Sequence, residues 1–224
     1  MKNENAKNEK ILKNGVTELV FILDRSGSMA GLESDTVGGF NSLITRRKEE
    51  GGDALVTTLL FDDKIETLHD RVPLSEIGKM TEKEYYVRGC TALLDAVGET
   101  LERISMIHKY ARREDVPEKT IFVITTDGLE NASRKFSTKQ VKDLVKAKRE
   151  LGWEFLFLGA NIDAVETAGA YGIAPECAVD YHADRRGTKK IYEALDKAVG
   201  CFMKNSSVGK AWREEADEDY NSRK

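Results

Sequence analysis

Apolar residues recur in this chain in two rhythms. Residues 19–23 form an unbroken apolar run rich in branched and aromatic side chains, and residues 121–124, continued by Thr125 and Thr126, form a second. Runs of this kind read as strands covered on both sheet faces, as in parallel sheets. Residues 54–61, 65–72, 153–158 and 178–181 read as further strands. Only Asp62, Asp63 and Lys64 separate the first two of these, a connection suited to a hairpin, so one edge strand is expected to run antiparallel. Between the strands the spacing changes to threes and fours. Val37, Phe40, Leu43 and Ile44 predict a helix over 32–50, and Leu93, Val97, Leu101 and Ile104 predict one over 92–112. Further helices are expected over 137–151, from Asp163, and over 184–203. Ser137 with Gln140 makes a capping box, and Thr81 with Glu84 another that would open a short helical turn. Strands alternating with helices specify an α/β fold: a doubly wound, mostly parallel sheet with one antiparallel edge strand and helices on both faces.

At 224 residues the chain suits one well-buried domain, expected over 15–204, with a flexible lead-in over 1–14 and a charged C-terminal tail over 205–224 that should fray. A net charge of −4 gives no general pull toward nucleic acid or anionic lipid. Basic runs at 46–48, 112–113 and 185–190 lie near predicted helix ends and read as solvated. The first residues lack the apolar stretch of a signal peptide, and nowhere do 18 apolar residues run together, so a cytoplasmic location is expected. Cys90, Cys177 and Cys201 lack CxxC spacing and are expected to be reduced and buried. His69, His108 and His182 are scattered, which disfavours histidine-based zinc chemistry.

The candidate chemistry lies where the apolar runs stop. Asp24 and Asp127 each fall just past a probable parallel strand, where open α/β sheets place their ligands. Asp24, Ser26 and Ser28 alternate along a turn relaxed by Gly27, so their oxygens can converge. Thr91 stands at the start of the longest predicted helix. Carboxylate and hydroxyl oxygens are hard donors suited to Mg²⁺ or Mn²⁺, whereas zinc prefers His or Cys. Two carboxylates and three neutral hydroxyls cancel a double charge without excess, which leaves such an ion electrophilic toward a further carboxylate.

These residues resemble a von Willebrand factor type A domain of the bacterial or phage cytoplasmic kind. Asp24-Arg25-Ser26-Gly27-Ser28, Thr91 and Asp127 match the elements of that family's metal-ion-dependent adhesion site, and the likeness extends over about residues 16–204. It implies a Rossmann-like sheet and a Mg²⁺ ion, with Mn²⁺ or Ca²⁺ as alternatives, that binds the Asp or Glu of a partner protein without enzymatic turnover. It also permits a scaffold role in a larger complex. Cys90 departs from the small residue, often glycine, that precedes the threonine in bacterial relatives.

Four neighbours carry open readings. Asp95, one helical turn past Thr91, either supports a metal-bound water or hydroxyl or is a solvated helix carboxylate. Arg25 either pairs with an acidic partner or points into water. Glu130 and Asn131 either line the rim or belong to an ordinary surface loop. An alternative function is a Mg²⁺-dependent phosphotransferase with an aspartyl nucleophile, but that chemistry wants a second carboxylate where this chain has Ser26. A serine hydrolase is a weaker reading still, because the glycine that a nucleophile elbow places two residues after its serine is missing after Ser28.

Overall fold

The computed structural model describes residues 13–205 and 207–223, so nearly all of the expected lead-in lies outside the described residues. Six strands form a single sheet: β1 (Lys13–Asp24), β2 (Ala54–Phe61), β3 (Ile65–Pro73), β4 (Pro117–Thr126), β5 (Glu154–Ala160) and β6 (Ala178–Tyr181). Their order is β3-β2-β1-β4-β5-β6. Every neighbouring pair is parallel except β2 with β3, which run antiparallel across the short Asp62–Lys64 connection as expected.

The helices are α1 (Glu33–Glu50), α2 (Leu93–Tyr110), α3 (Thr138–Arg149), α4 (Ala164–Ala170), α5 (Arg185–Asn205) and α6 (Glu214–Asn221). From β1 the chain moves through α1 to β2 on one side, and from β3 it returns through α2 to β4 on the other. Right-handed crossovers therefore put α1 and α2 on opposite faces. Consistently, α5 packs on α1, while α3 packs on α2. β1 and β4 are covered on both faces, with residues 19–23 and 121–124 all buried. Their continuous apolar runs reflect this two-sided burial. The order of connections reverses between β1 and β4, and this switch point is the crevice where α/β sheets bind ligands.

Several expectations are corrected. The Thr81–Glu84 hydrogen bonds form, with Thr81 N–H donating to Glu84 Oε2 at 2.7 Å, but the segment makes only a turn. Arg47 is buried rather than solvated, because α5 supplies Asp196 at 2.8 Å. Cys90 is exposed, whereas Cys177 is buried and Cys201 half-buried; all three are free thiols. The tail does not fray over 210–221. Trp212 and Ala216 are buried, the Trp212 indole N–H donates to Glu176 O at 3.2 Å, and Arg213 donates to Pro175 O at 2.8 Å. The cause lies in the sheet: β6 is a four-residue edge strand, and α6 covers an edge that would otherwise be open to further pairing. Among the described residues no helix is long and apolar enough to cross a membrane.

Candidate metal centre

The site is built on the C-terminal ends of two adjacent strands. β1 and β4 pair in register to Leu23 and Thr125, so Asp24 and Thr126 emerge side by side. Thr126 Oγ1–H donates to Asp24 Oδ2 at 2.6 Å, and the Ser26 backbone N–H donates to Asp24 Oδ1 at 2.7 Å. The Tyr85 hydroxyl donates to the Asp24 backbone oxygen from below. Asp24 is thereby held rigidly while almost fully buried. Burial pushes its carboxyl up to about 6, reinforced by the charge of Asp127 and opposed by the Thr126 and Ser26 hydrogen bonds.

The hydroxyls complete a chain between the two acids. Ser26 Oγ lies 3.1 Å from Ser28 Oγ, and Ser28 Oγ–H donates to Asp127 Oδ1 at 2.6 Å. Ser28 is exposed, so this line of oxygens opens to solvent. Asp127 Oδ2 is buried and has no hydrogen-bond partner among the described residues. Burial raises the Asp127 pKa despite the Ser28 hydrogen bond. Gly128 marks where the third element enters: a Cβ there would stand 3.1 Å from Thr91 Oγ1 and 3.2 Å from Ser28 Oγ. The structure thus brings Asp24, Ser26, Ser28, Thr91 and Asp127 into one locality from three separate loops.

The donor set fits a hard divalent cation. An unpartnered buried carboxylate oxygen is costly unless something positive meets it. Among the described residues no group of three or more His, Cys, Asp or Glu could hold a metal, so an ion here would depend on hydroxyl ligands as well as the two carboxylates. That balance disfavours a structural zinc site.

Arg25 and Asp95 take other roles than sequence suggested, while Glu130 and Asn131 do lie in a surface loop. Arg25 reaches neither rim nor water. It is fully buried, with Nε donating to Asp62 Oδ2 at 2.9 Å and Nη2 to Glu66 at 2.7 Å, because the β2–β3 hairpin lies beside the loop. Asp62 also accepts from Arg88 Nε at 2.7 Å. Asp95 is neither solvated nor turned to the metal locality: its carboxylate accepts the backbone N–H groups of Arg134, Lys135 and Phe136 at 2.8 to 2.9 Å. Burial favours its neutral form, but the three N–H groups outweigh it and hold the pKa below the ordinary value. The Glu130 carboxylate caps the start of α2 through Leu94 N–H at 2.8 Å, and Asn131 Oδ1 accepts Thr91 N–H at 2.9 Å.

Sequence reading missed Thr126, Tyr85 and Asp62. The polar pair Thr125-Thr126 ending an apolar strand was the available signal for Thr126. Tyr85 and Asp62 act across 61 and 37 residues, and nothing local announces them.

Neither a protein-family model nor a curated protein matches this sequence. Solved structures do match its fold. Proximal thread matrix protein 1 from the mussel byssus superposes with a TM-score of 0.59 at 18% identity, covering 84% of this chain and 46% of that one. The ArnB paralog VWA2 from Sulfolobus acidocaldarius gives 0.51 at 18% identity, covering 82% and 45%. The chain carries the von Willebrand factor type A fold. A further structure of the mussel protein with this fold, at TM-score 0.54, 16% identity and coverage of 85% and 47%, has zinc in its metal-ion-dependent adhesion motif. The chain spans about half the length of each of these proteins.

Proposed function

We propose that this protein is a divalent-metal-dependent protein interaction module. On this reading Asp24, Ser26, Ser28, Thr91 and Asp127 hold Mg²⁺, and the bound ion supplies Lewis acidity that a partner's Asp or Glu carboxylate satisfies. The observation that carries the reading is the buried, unpartnered Asp127 Oδ2 beside a second buried carboxylate, both linked to an exposed serine hydroxyl. Asp24 and Asp127 neutralise the double charge, while Ser26, Ser28 and Thr91 add oxygens without further charge. The mussel protein's metal-occupied motif supports divalent binding by this fold in general. Mn²⁺ and Ca²⁺ are the alternative ions, and a scaffold role in a larger assembly is compatible.

An aspartyl phosphotransferase is less well supported. Asp24 is 1% exposed, which leaves little room for the in-line approach of a phosphoryl donor to an aspartyl nucleophile. The non-enzymatic reading is preferred for that reason. A cytoplasmic setting, where free thiols such as those of Cys90, Cys177 and Cys201 persist, is the one proposed.

The test is twofold. Mn²⁺ binding, followed by loss of the free-ion electron paramagnetic resonance signal and reversed by Mg²⁺, should be saturable in the wild type and absent in Asp24→Ala. Partner capture from native extract should require Mg²⁺ and be abolished by EDTA and by the same substitution. Capture that survives both treatments would end the proposal.

A further inference from the structure

We infer that Glu130, with Asn131 and Ser133, is a positioning device that fixes Thr91 relative to Asp127 and sets which divalent ion the site prefers. This rests on the metal-binding reading above and assigns to that site residues that touch no proposed ligand atom.

Thr91 and Asp127 come from loops 36 residues apart in sequence, and β-sheet pairing does not hold them together, because Thr91 precedes α2 rather than ending a strand. A separate clasp joins them. Glu130 Oε2 accepts Leu94 N–H and the Ser133 hydroxyl, both at 2.8 Å, while Oε1 accepts Ala132 N–H at 3.0 Å and Ser133 N–H at 2.7 Å. Ser133 Oγ in turn accepts Asp95 N–H at 2.9 Å. Asn131 closes the clasp at the ligand itself: its Oδ1 takes Thr91 N–H at 2.9 Å and its backbone N–H donates to Thr91 O at 3.0 Å. Ala132 N–H reaches the same oxygen at 3.2 Å. Both backbone polar groups of Thr91 are therefore fixed by the segment that begins three residues after Asp127.

The energetic logic lies in where Glu130 spends its charge. A carboxylate accepting four hydrogen bonds, two of them from N–H groups of the chain's own turn, makes 130–133 a rigid plate. The bond to Leu94 N–H pins that plate to the positive end of α2. Asp95 locks the continuation at 134–136. Because Mg²⁺ demands near-ideal octahedral geometry and Ca²⁺ tolerates irregular, wider shells, rigidity in the Thr91-to-Asp127 spacing favours the smaller ion. A loosened clasp would penalise Mg²⁺ more than Ca²⁺.

The experiment uses Glu130→Gln, which keeps size but replaces one acceptor oxygen with a donor facing other donors. Mn²⁺ affinity is read by electron paramagnetic resonance, and Mg²⁺ and Ca²⁺ by competition, on the full chain. The expected result is weakening of Mn²⁺ and Mg²⁺ by on the order of 10-fold or more, a smaller loss for Ca²⁺, and hence a lower Mg²⁺/Ca²⁺ preference. Amide hydrogen exchange should quicken at Thr91 and Leu94. Ser133→Ala, which removes one bond to Glu130 and one from Asp95, is the milder second variant and should move the preference in the same direction. Unchanged affinity and preference in variants that stay folded would overturn the inference while leaving the metal site intact. Equal losses for all three ions would also overturn it, since a merely structural role predicts no selectivity change. A wild type that binds no Mn²⁺ would instead remove the functional reading, and this inference with it.

Discussion

Replacing Arg25 with methionine separates a structural arginine from a recognition arginine. Its guanidinium is fully buried and pairs with an Asp62 carboxylate that is itself 0% exposed. Removing one member of a buried pair costs roughly 3–5 kcal/mol because the remaining charge is stranded. Asp62 is not entirely stranded, since Arg88 Nε stays at 2.7 Å and Lys64 N–H at 2.8 Å. Arg25 Nη1 is, moreover, a buried donor with no partner among the described residues, and its removal recovers part of the loss. The net expectation is a destabilisation of about 2–3 kcal/mol. With a urea slope of about 2 kcal/mol per molar, the unfolding midpoint should fall by about 1 M. Metal affinity should change little, because the backbone of the Asp24–Ser28 loop is held by Arg25 O accepting Arg88 N–H at 2.9 Å and by Gly27 N–H donating to Gly89 O at 3.2 Å. A midpoint within 0.2 M of wild type (roughly 0.4 kcal/mol at that slope), combined with lost partner binding, would refute this account and return Arg25 to the interface.

Other expectations are quickly checked. Gly38→Ala and Gly39→Ala sit side by side in α1, yet a Cβ at Gly38 meets open space while one at Gly39 would stand 2.3 Å from the Tyr192 ring. The first should stabilise by about 0.4–1 kcal/mol and the second destabilise by about 1–3 kcal/mol, measured by chemical denaturation; effects of equal sign would count against the α1–α5 packing. Asp95 has a depressed native pKa, so its contribution is complete above the unfolded carboxyl value and is lost as pH falls through the native one. The acid limb of stability below about pH 4 should accordingly be shallower in Asp95→Asn, and identical limbs would contradict the clamp. Saturating Mg²⁺ at about 100 times its dissociation constant should raise wild-type stability by about 2.7 kcal/mol. Asp127→Asn should show no such rise.

Much of the candidate site was legible because each candidate ligand lies at a punctuation mark. Asp24 and Asp127 end apolar runs that are strands for reasons of two-sided burial, and the parallel order follows from the alternating helices. What stayed hidden is of one physical kind. Arg25, Glu130 and Asn131 are polar residues in loops and Asp95 lies in the first turn of α2, all positions that locally read as solvated, yet each is claimed by a group 36 to 41 residues distant. For Glu130 the distance is 36, and the partner is a backbone N–H, which every residue possesses and no sequence advertises. The C-terminal helix escaped for a related reason. Its buried apolar side chains are few, Trp212 in the turn before it and Ala216 within it, and they find their cover on α5 and the short edge strand β6.

These hidden partners bear on how negative charge is divided around the site. Asp62, Asp95 and Glu130 stand with Asp24 and Asp127 among the carboxylates of the loops around Thr91. Left free, they would bind a divalent ion with several negative charges and satisfy it completely. Asp62 is instead neutralised by two arginines, Asp95 by three backbone N–H groups, and Glu130 by four donors. Both Asp62 and Asp95 are held below their ordinary pKa by those partners despite burial. Asp24 and Asp127 are the pair whose pKa values burial drives upward, which is the signature of negative charge without enough positive charge near it. The same loops thus consume the charge that would quench an ion and leave the charge needed to hold one. On the proposed reading, that division is what keeps a bound ion receptive to a carboxylate from another protein.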